Sequence, residues 1–311
     1  MAKLKNYNGF YCESEYESAF IALLQSVGWT YLPGNKIKRR CSEVLIADDF
    51  RTFIEKTNAD LLTEEIEQIY DTVRLAGAES DFSTLHKVYK WMVNGIQFTP
   101  RNGLPIQVSL IDFETPDNNI FHVVNQFTVE YMNNGQREIR RPDILLFING
   151  MPVCVIELKN PADASATIHD AWEQITIRYW RDVPHLLHYC PLACISDGVK
   201  TRLGTVRTPY EHFYAWRRVN DGDKISTMPF AETETMIKGV YAPKRFLEIF
   251  RDYIYFQDEI FDCDEREIVC RYPQFFAAKL LKQSIIKSVL EHTGKGGTYF
   301  GATGCGKTYT M

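Results

Sequence analysis

The sequence lacks the features that define two large classes of protein. No apolar run approaches the roughly 20 residues that cross a bilayer, no secretory hydrophobic segment opens the chain, and the eight cysteines contain no CxxC pair. We therefore expect a protein of the reduced cytoplasm, not a membrane protein and not a secreted one held together by disulfides.

The chain also has no excess of positive charge. Its formal net charge is -5, so a nucleic-acid partner would have to be met by local basic patches. Three short runs are candidates, and for each the alternative is a solvated surface: 36–40 (KIKRR), 137–141 (REIRR) and 215–219 (AWRRV). The 311 residues are 45% hydrophobic, which is ordinary globular composition and excludes disorder.

Several segments have helical periodicity. The stretch 14–29 (SEYESAFIALLQSVGW) has apolar residues spaced for one helix face, with Ser14 as a cap and Gly28 as a stop. The same periodicity returns between 47 and 95, with breaks near Asn58 and Gly77. Helices are also predicted over 163–183, 244–256 and 271–292.

Strand patterns occupy the middle of the chain. From Gly95 to Cys154, short β-branched and aromatic runs alternate with turn signals, which predicts an antiparallel meander. Further strands are predicted at 191–198 and 210–216. The order of helices and strands indicates an α/β fold, or α+β with a mixed sheet.

The stretch 141–160 (RPDILLFINGMPVCVIELKN) contains three polar residues in two otherwise apolar strands. Charge in a sheet interior is costly unless it is paired or bound to metal. Glu157 and Lys159 share a strand face, so an ion pair between them, with Asp143 exposed to solvent, is one explanation. The other is a Mg²⁺ site made by Asp143 and Glu157, with Lys159 orienting a water for phosphodiester hydrolysis.

The metal site makes a demand on strand register. A two-residue turn at Asn149 and Gly150 places Asp143 opposite Ile156 and turns Glu157 to the other face. A three-residue loop, or a β-bulge, places Asp143 opposite Glu157. We expect the second register, although the Asn-Gly sequence favours the tight turn.

These residues resemble a known family. The stretch 141–160, with NIFHVVNQF before it and ISDG after it, is similar to the PD-(D/E)xK nuclease core of the restriction (R) subunit of type I restriction and modification enzymes. The resemblance runs from about Ser14 to the last residue. It implies a restriction-endonuclease-like core with an extra helical insertion, and double-stranded DNA as the substrate.

The resemblance also implies roles for particular residues. Mg²⁺ would be held by Asp143, Glu157 and the main-chain carbonyl of Leu158, and Lys159 would be the catalytic lysine. Many related nucleases add a glutamate from the first helix. Glu17 is the first candidate here and Glu13 the second, and a plain surface glutamate is the alternative.

The family often has a glutamine followed four residues later by a tyrosine on the next helix. Here Gln174 is followed at that spacing by Arg178, and Tyr179 comes one residue later, about 100° further round an α-helix. Gln174 remains a candidate site residue. Either Tyr179 is displaced and Arg178 takes its place near a phosphate, or the tyrosine still reaches the site.

The chain ends on a phosphate-binding pattern. The stretch 301–308 (GATGCGKT) fits G-x-x-x-x-G-K-[ST], so main-chain N–H groups at Gly304, Cys305 and Gly306 would cradle phosphate, Lys307 would reach the β and γ oxygens, and Thr308 would bind Mg²⁺. A strand is predicted just before it, at 297–300. By resemblance, this loop opens the first RecA-like domain of a translocase, and Gln274 contacts adenine.

The predicted organisation has three parts. They are a nuclease domain at 1–225 with its helical insertion at about 47–95, a helical linker at 226–270, and the edge of a RecA-like domain at 271–311.

We expect an Mg²⁺-dependent endonuclease that works with ATP, a methyltransferase (M) subunit and a specificity (S) subunit. We also expect that this chain alone neither hydrolyses ATP nor binds it tightly, because too little of the motor is present. The alternatives are a truncated nucleotide-dependent helicase or translocase module and a non-catalytic assembly domain with structural carboxylates.

Overall fold

The computed structural model describes residues 13–78, 82–101, 103–160, 167–228, 230–257, 266–298, 300 and 306. Its α-helices are α1 (Glu13–Ser26), α2 (Ala47–Thr57), α3 (Thr63–Ala76), α4 (Phe82–Asn94), α5 (Ile168–Glu173), α6 (Trp180–Asp182), α7 (Pro184–Leu187), α8 (Ala231–Met236), α9 (Pro243–Asp252) and α10 (Tyr272–Leu290). Its strands are β1 (Thr30–Pro33), β2 (Ile96–Phe98), β3 (Ile106–Val108), β4 (Phe121–Asn125), β5 (Val129–Asn133), β6 (Gln136–Arg140), β7 (Ile144–Ile148), β8 (Met151–Leu158), β9 (Leu192–Ser196), β10 (Thr201–Thr205), β11 (Ile254–Gln257) and β12 (Arg266–Val269).

A six-stranded sheet forms the centre of the fold, in the order β1-β4-β7-β8-β9-β10. The β1–β4 and β8–β9 pairs are parallel, and the other neighbours are antiparallel. Every residue of β7, β8 and β9 is buried, as expected for continuous apolar strands covered on both faces. The predicted mixed α/β fold is confirmed at this level.

Helices cover both faces of β8. Cys154 Sγ lies 3.7 Å from the hydroxyl of Tyr241, in the π-helical turn that follows α8. On the opposite face, the hydroxyl of Tyr179 reaches Glu157. Because side chains alternate along a strand, the carboxylate of Glu157 points away from the α8 side of the sheet and towards α5.

The predicted helices near the N terminus are confirmed. Helix α1 buries Tyr16, Phe20 and Leu24, which are four residues apart and so share one face. Helices α2, α3 and α4 fill the predicted helical insertion, with breaks at Asn58 and Gly77. In the described part of the chain, no helix is both long enough and apolar enough to cross a membrane.

Two predicted strands are wrong, and one predicted helix is too long. The predicted strand at 210–216 contains a 3₁₀ turn after Pro209 and one isolated bridge from Tyr214 to Leu203. The predicted helix at 244–256 ends at Asp252. The predicted linker at 226–270 is therefore not all helical. Beyond the helix, Ile254 and Phe256 alternate with an exposed tyrosine, and this segment forms β11, which pairs with β12. No strand precedes the phosphate-loop motif among the described residues of 297–300.

The predicted meander is divided into separate units. Strands β4, β7 and β8 are antiparallel neighbours in the central sheet. Strand β3 pairs with β2, and β5 pairs with β6, in two-stranded sheets of their own. The β5–β6 hairpin therefore stands beside the central sheet, between the end of β4 and the start of β7.

Candidate active site

A tight turn joins β7 to β8. Asn149 and Gly150 have φ angles of 50° and 76°, the left-handed pair that a two-residue hairpin turn requires. The Asn149 side chain donates to the carbonyl of Leu110 and accepts from the N–H of Ile120, at 2.9 and 2.8 Å. A Cβ on Gly150 would lie 2.2 Å from the carbonyl oxygen of Ile46. The turn is therefore the tight one that its sequence favours, and the three-residue loop is not formed.

A β-bulge nevertheless gives the register that the metal site requires. Phe147 pairs with Pro152, the next pair is Leu146 with Cys154, and Val153 is the extra residue. Proline has no N–H for the ladder, and prolines inside sheets are found at edges and bulges. Turn propensity and chemistry therefore agree, since the bulge changes the pairing that the turn begins.

Asp143 and Glu157 are consequently neighbours. One residue beyond the Ile144–Ile156 pair, the same spacing brings Asp143 opposite Glu157. The N–H of Leu158 donates to Oδ2 of Asp143 at 2.8 Å, and the N–H of Asp143 lies 3.4 Å from Oε1 of Glu157. The two carboxylates therefore lie at the same ends of β7 and β8.

Glu157 is fully buried, although it is a carboxylate. Its Oε1 accepts a 2.7 Å hydrogen bond from the hydroxyl of Tyr179, whereas its Oε2 has no hydrogen-bond partner among the described residues. Burial, and then the charge of Asp143, raise the pKa of Glu157 well above its usual range, against the opposing effects of Tyr179 and Lys159. A buried oxygen of this kind requires a cation or a proton.

Lys159 belongs to the same group through a short chain of hydrogen bonds. Its ammonium donates to Oε1 of Gln174 at 2.8 Å, and Nε2 of Gln174 donates to the hydroxyl of Tyr179, also at 2.8 Å. The N–H of Lys159 donates to the carbonyl of Ser196 on β9 at 2.8 Å. The lysine is thus fixed at its main chain and at the end of its side chain.

A π-helical turn explains how Tyr179 reaches this group. Residues Gln174–Tyr179 are π-helical, between α5 and α6. Because a π turn contains about one residue more than an α turn, residues five apart lie on one face here. The structure therefore places Tyr179 beside Gln174, and Arg178 does not take its place: the Arg178 side chain is 54% exposed and lies 3.9 Å from Glu173.

Glu17 lies near the same end of the sheet but has other partners. Its two carboxylate oxygens accept from the side-chain amides of Asn125 and Gln126, at 2.6 and 2.7 Å. The N–H of Gln126 donates in turn to the carbonyl of Asp143 at 3.0 Å. Among the described residues, no group of three or more His, Cys, Asp or Glu side chains is placed to hold a metal ion, and the side chain of Glu13 lies outside them.

The sequence reasoning overlooked Asn125, Gln126 and Ser196. The first two lie in the NIFHVVNQF segment that was singled out, where polar residues directly after a buried strand are a signal that could have been read. Ser196 lies in the ISDG segment, but it contributes a main-chain carbonyl, which every residue has, so its residue type gave no signal for this contact. Of the phosphate-loop residues, Gly304, Cys305, Lys307 and Thr308 lie outside the described residues, and Gln274 donates to the carbonyl of Gly306 at 3.1 Å.

Comparison with known proteins identifies the family. A family model described as the N terminus of the type I restriction enzyme R protein matches residues 11–212, more than half of the chain. The chain belongs to this family. The matched region contains α1, the central sheet, the bulge and all the residues of the candidate site described above.

Named relatives of this R protein region are endonuclease subunits of type I restriction enzymes. They include the provisionally assigned MjaIXP subunit of Methanocaldococcus jannaschii (28% identical, covering 95% of this chain and 30% of the relative). The HindI subunit of Haemophilus influenzae is 28% identical, over 96% of this chain and 29% of the relative. The SauCOLORF180P subunit of Staphylococcus aureus strain COL is 22% identical over the same shares. The chain thus spans about three tenths of the length of these relatives.

Proposed function

We propose that this region of the R protein is an Mg²⁺-dependent endonuclease that cleaves phosphodiester bonds of double-stranded DNA. The observation that carries the proposal is the buried Oε2 of Glu157, which has no hydrogen-bond partner in the described part of the chain and is next to a second carboxylate. The mixed sheet, with Asp143, Glu157 and Lys159 at one end of two adjacent strands, supports a PD-(D/E)xK core as the fold family.

The residues fit a hard divalent cation. Asp143 and Glu157 supply two carboxylates, and the carbonyl of Leu158 is the third group we assign; Glu17 stays a candidate further ligand. Mg²⁺ prefers oxygen ligands and usually keeps several waters, so two carboxylates are enough. When bound, Mg²⁺ would supply a water of lowered pKa and positive charge at the scissile phosphate.

The surrounding residues have distinct roles in this proposal. Tyr179 occupies Oε1 of Glu157 and so leaves Oε2 for the cation. Gln174 holds the ammonium of Lys159, which orients the attacking water and offsets the negative charge that develops on the phosphate. Gln174 and Tyr179 act through Lys159 and Glu157, so they are positioning residues.

We further propose that the endonuclease works within an ATP-dependent complex with methyltransferase (M) and specificity (S) subunits. The relatives are named as subunits of type I restriction enzymes, and they extend well beyond the length of this chain. The phosphate-loop pattern at 301–308 supports a RecA-like motor and an ATP site, with Lys307 and Thr308 on phosphate and Mg²⁺. Gln274, which contacts Gly306 of that loop, is the proposed adenine contact.

Substitutions in the full-length protein test the proposal. Asp143→Ala and Lys159→Ala should each abolish DNA cleavage while ATP hydrolysis continues, because the motor does not use these residues. Unchanged cleavage in either variant would overturn the nuclease assignment and favour a non-catalytic assembly domain. Loss of ATPase activity together with cleavage would instead favour a nucleotide-dependent module in which the sheet carboxylates are structural.

A further inference from the structure

Two of the basic runs singled out in the sequence lie side by side. The N–H of Glu130, at the start of β5, donates to the carbonyl of Cys41 at 2.9 Å. The guanidinium of Arg39 lies 3.4 Å from the centroid of the Phe127 ring, just before β5. The run 36–40 therefore lies along the base of the β5–β6 hairpin, and the run 137–141 includes most of β6.

The cations of these two runs are exposed. Arg39 is the partly buried anchor of the first run, and its partial burial lowers its pKa to about 10. Five further cations are accessible to solvent or partly so, and none of the five pairs with a carboxylate among the residues that the structure describes: Lys36, Lys38, Arg40, Arg137 and Arg141. The neighbouring carboxylates are Glu43, which accepts from the N–H of Arg40 at 3.2 Å, and Glu130, which pairs across the hairpin with Ile139.

One face of the β5–β6 hairpin fixes it to the rest of the protein. The hydroxyl of Tyr131 donates to Glu138 at 2.6 Å, and Nε of Arg140 donates to Oδ2 of Asp182 at 2.7 Å. The guanidinium of Arg140 also lies 4.9 Å from the ring centroid of Tyr131. The hairpin therefore has a defined orientation.

The opposite face, which we call the outer face, is uncovered. It consists of Glu130, Met132, Arg137 and Ile139, which alternate with the anchored residues along the two strands. Met132 is 64% exposed and Ile139 is 49% exposed. Apolar groups flanked by cations on a rigid two-stranded ribbon are suited to a surface that is anionic at its edges and has apolar groups within.

The outer face begins at the candidate active site. Strand β6 ends at Arg140 and β7 begins at Ile144, so Asp143 lies directly between the hairpin and the central sheet. The carbonyl of Asp143 accepts from the N–H of Gln126, in the link from β4 to β5. At about 3.3 Å per residue, strands of this length project roughly 16 Å from the site.

We propose that the β5–β6 hairpin enters the major groove of duplex DNA next to the bond that is cut. The inference rests on the proposed nuclease function and specifies the surface that holds its substrate. The major groove admits a two-stranded ribbon. Met132 and Ile139 contact the apolar edges of bases, and the five cations contact phosphates on either side of the groove, which makes binding salt-dependent and largely independent of sequence.

The test is the salt dependence of binding by the 311-residue chain to a fluorescein-labelled duplex, without divalent metal. Log K falls as log[salt] rises, and removing two phosphate contacts, in Arg137→Gln with Arg141→Gln, should make this negative slope shallower by about 2. The charge-matched control combines Arg74→Gln, on α3, with Arg101→Gln, whose guanidinium pairs with Glu64 of α3 at 2.8 Å, and it should keep the wild-type slope. Arg137→Lys with Arg141→Lys should also keep the wild-type slope.

The apolar residues of the outer face are tested separately. Met132→Thr with Ile139→Thr should weaken binding at an unchanged slope. The control Leu75→Thr should not weaken binding.

Several results would overturn the hairpin proposal. They are a slope in the double Gln variant equal to that of the control, wild-type binding that does not depend on salt, and loss of association with another protein subunit while DNA binding persists.

Failure of the hairpin proposal can be told apart from failure of the nuclease proposal. If Asp143→Ala stops cleavage while the hairpin variants bind like wild type, the nuclease stands and the hairpin assignment falls. The reverse pattern retains the hairpin and removes the nuclease.

Discussion

The hydroxyl of Tyr179 donates to Oε1 of Glu157 at 2.7 Å, and both side chains are essentially inaccessible to solvent. The hydroxyl also accepts from Gln174, which holds the ammonium of Lys159. One phenol therefore determines which oxygen of the carboxylate is left without a hydrogen-bond partner among the described residues and, through the glutamine, where the ammonium of Lys159 lies.

Replacing this tyrosine should affect catalysis more than folding. In Tyr179→Phe, Glu157 loses its donor and Gln174 loses an acceptor, which should cost about 1–3 kcal/mol in the free energy of unfolding and reduce cleavage by roughly 10²-fold. Tyr189→Phe is the matched control, because that buried hydroxyl donates to the carbonyl of Val73. The control should lose similar stability and keep its cleavage rate, as measured by urea unfolding and by a plasmid-nicking assay. Equal cleavage by the two variants would refute the positioning role.

Arg178 provides a second contrast on the same helical segment. Its side chain is about half exposed and its nearest carboxylate is Glu173, on the same helical segment. Arg178→Ala should therefore change the rate of DNA cleavage by less than about threefold, since exposed ion pairs contribute little. A loss comparable to that of Tyr179→Phe would mean that the arginine also belongs to the site when DNA is bound.

The turn between β7 and β8 allows a controlled test of packing. Gly150 and Gly135 both follow an asparagine and have φ angles of 76° and 79°. An added Cβ at Gly150 would meet the carbonyl oxygen of Ile46 at 2.2 Å, whereas at Gly135 it would meet nothing within 4 Å. Gly135→Ala should cost about 1–2 kcal/mol from backbone strain alone. Gly150→Ala should cost at least about 2 kcal/mol more, measured as the difference in free energy of unfolding in urea. Equal costs would show that the turn is not closely packed.

A buried carboxylate far from the site makes stability depend on pH. Neither carboxylate oxygen of Glu267 has a hydrogen-bond partner among the described residues. Burial raises the pKa of Glu267 well above its usual range, although Thr205 and Arg207 act in the other direction. The folded chain then binds more protons than the unfolded chain once the pH exceeds the unfolded pKa of about 4.3, so this contribution to stability is present at low pH and is lost as the pH rises.

Glu267→Gln should remove that loss. The variant should gain stability relative to wild type as the pH rises from about 5 to 8, since an amide does not ionise. Urea unfolding at several pH values measures the difference, with Glu55→Gln on an exposed face of α2 as the control. A difference between variant and wild type that does not change with pH would contradict the raised pKa.

Long periodic segments were predictable from the sequence. Helices α1 to α4 and α10 follow from apolar residues at helical spacing, and the Asn149–Gly150 turn follows from its dipeptide. The predicted helix runs on to residue 256 because short apolar runs fit both periods. The pairing that makes 254–257 a strand comes from Arg266–Val269, more than eight residues further on.

The candidate site was predictable as a set of residues but not as a geometry. Asp143, Glu157 and Lys159 stand out because charge is rare in buried strands. The two features that align the site are single extra residues, Val153 in the bulge and one residue in the π turn before Tyr179. Each shifts the side chains beyond it by one position without changing the local apolar pattern, and only tertiary packing selects such a shift.

The most direct measurement is a crystal of this chain soaked in Mn²⁺, with anomalous scattering used to locate the metal. Mn²⁺ takes the same oxygen ligands as Mg²⁺. We expect one strong peak within bonding distance of both Asp143 and Glu157, lost in Asp143→Asn and retained in Lys159→Ala. An ordered site without a peak, with Lys159 turned to pair with Glu157, would contradict it and leave the carboxylates as structural groups of the sheet.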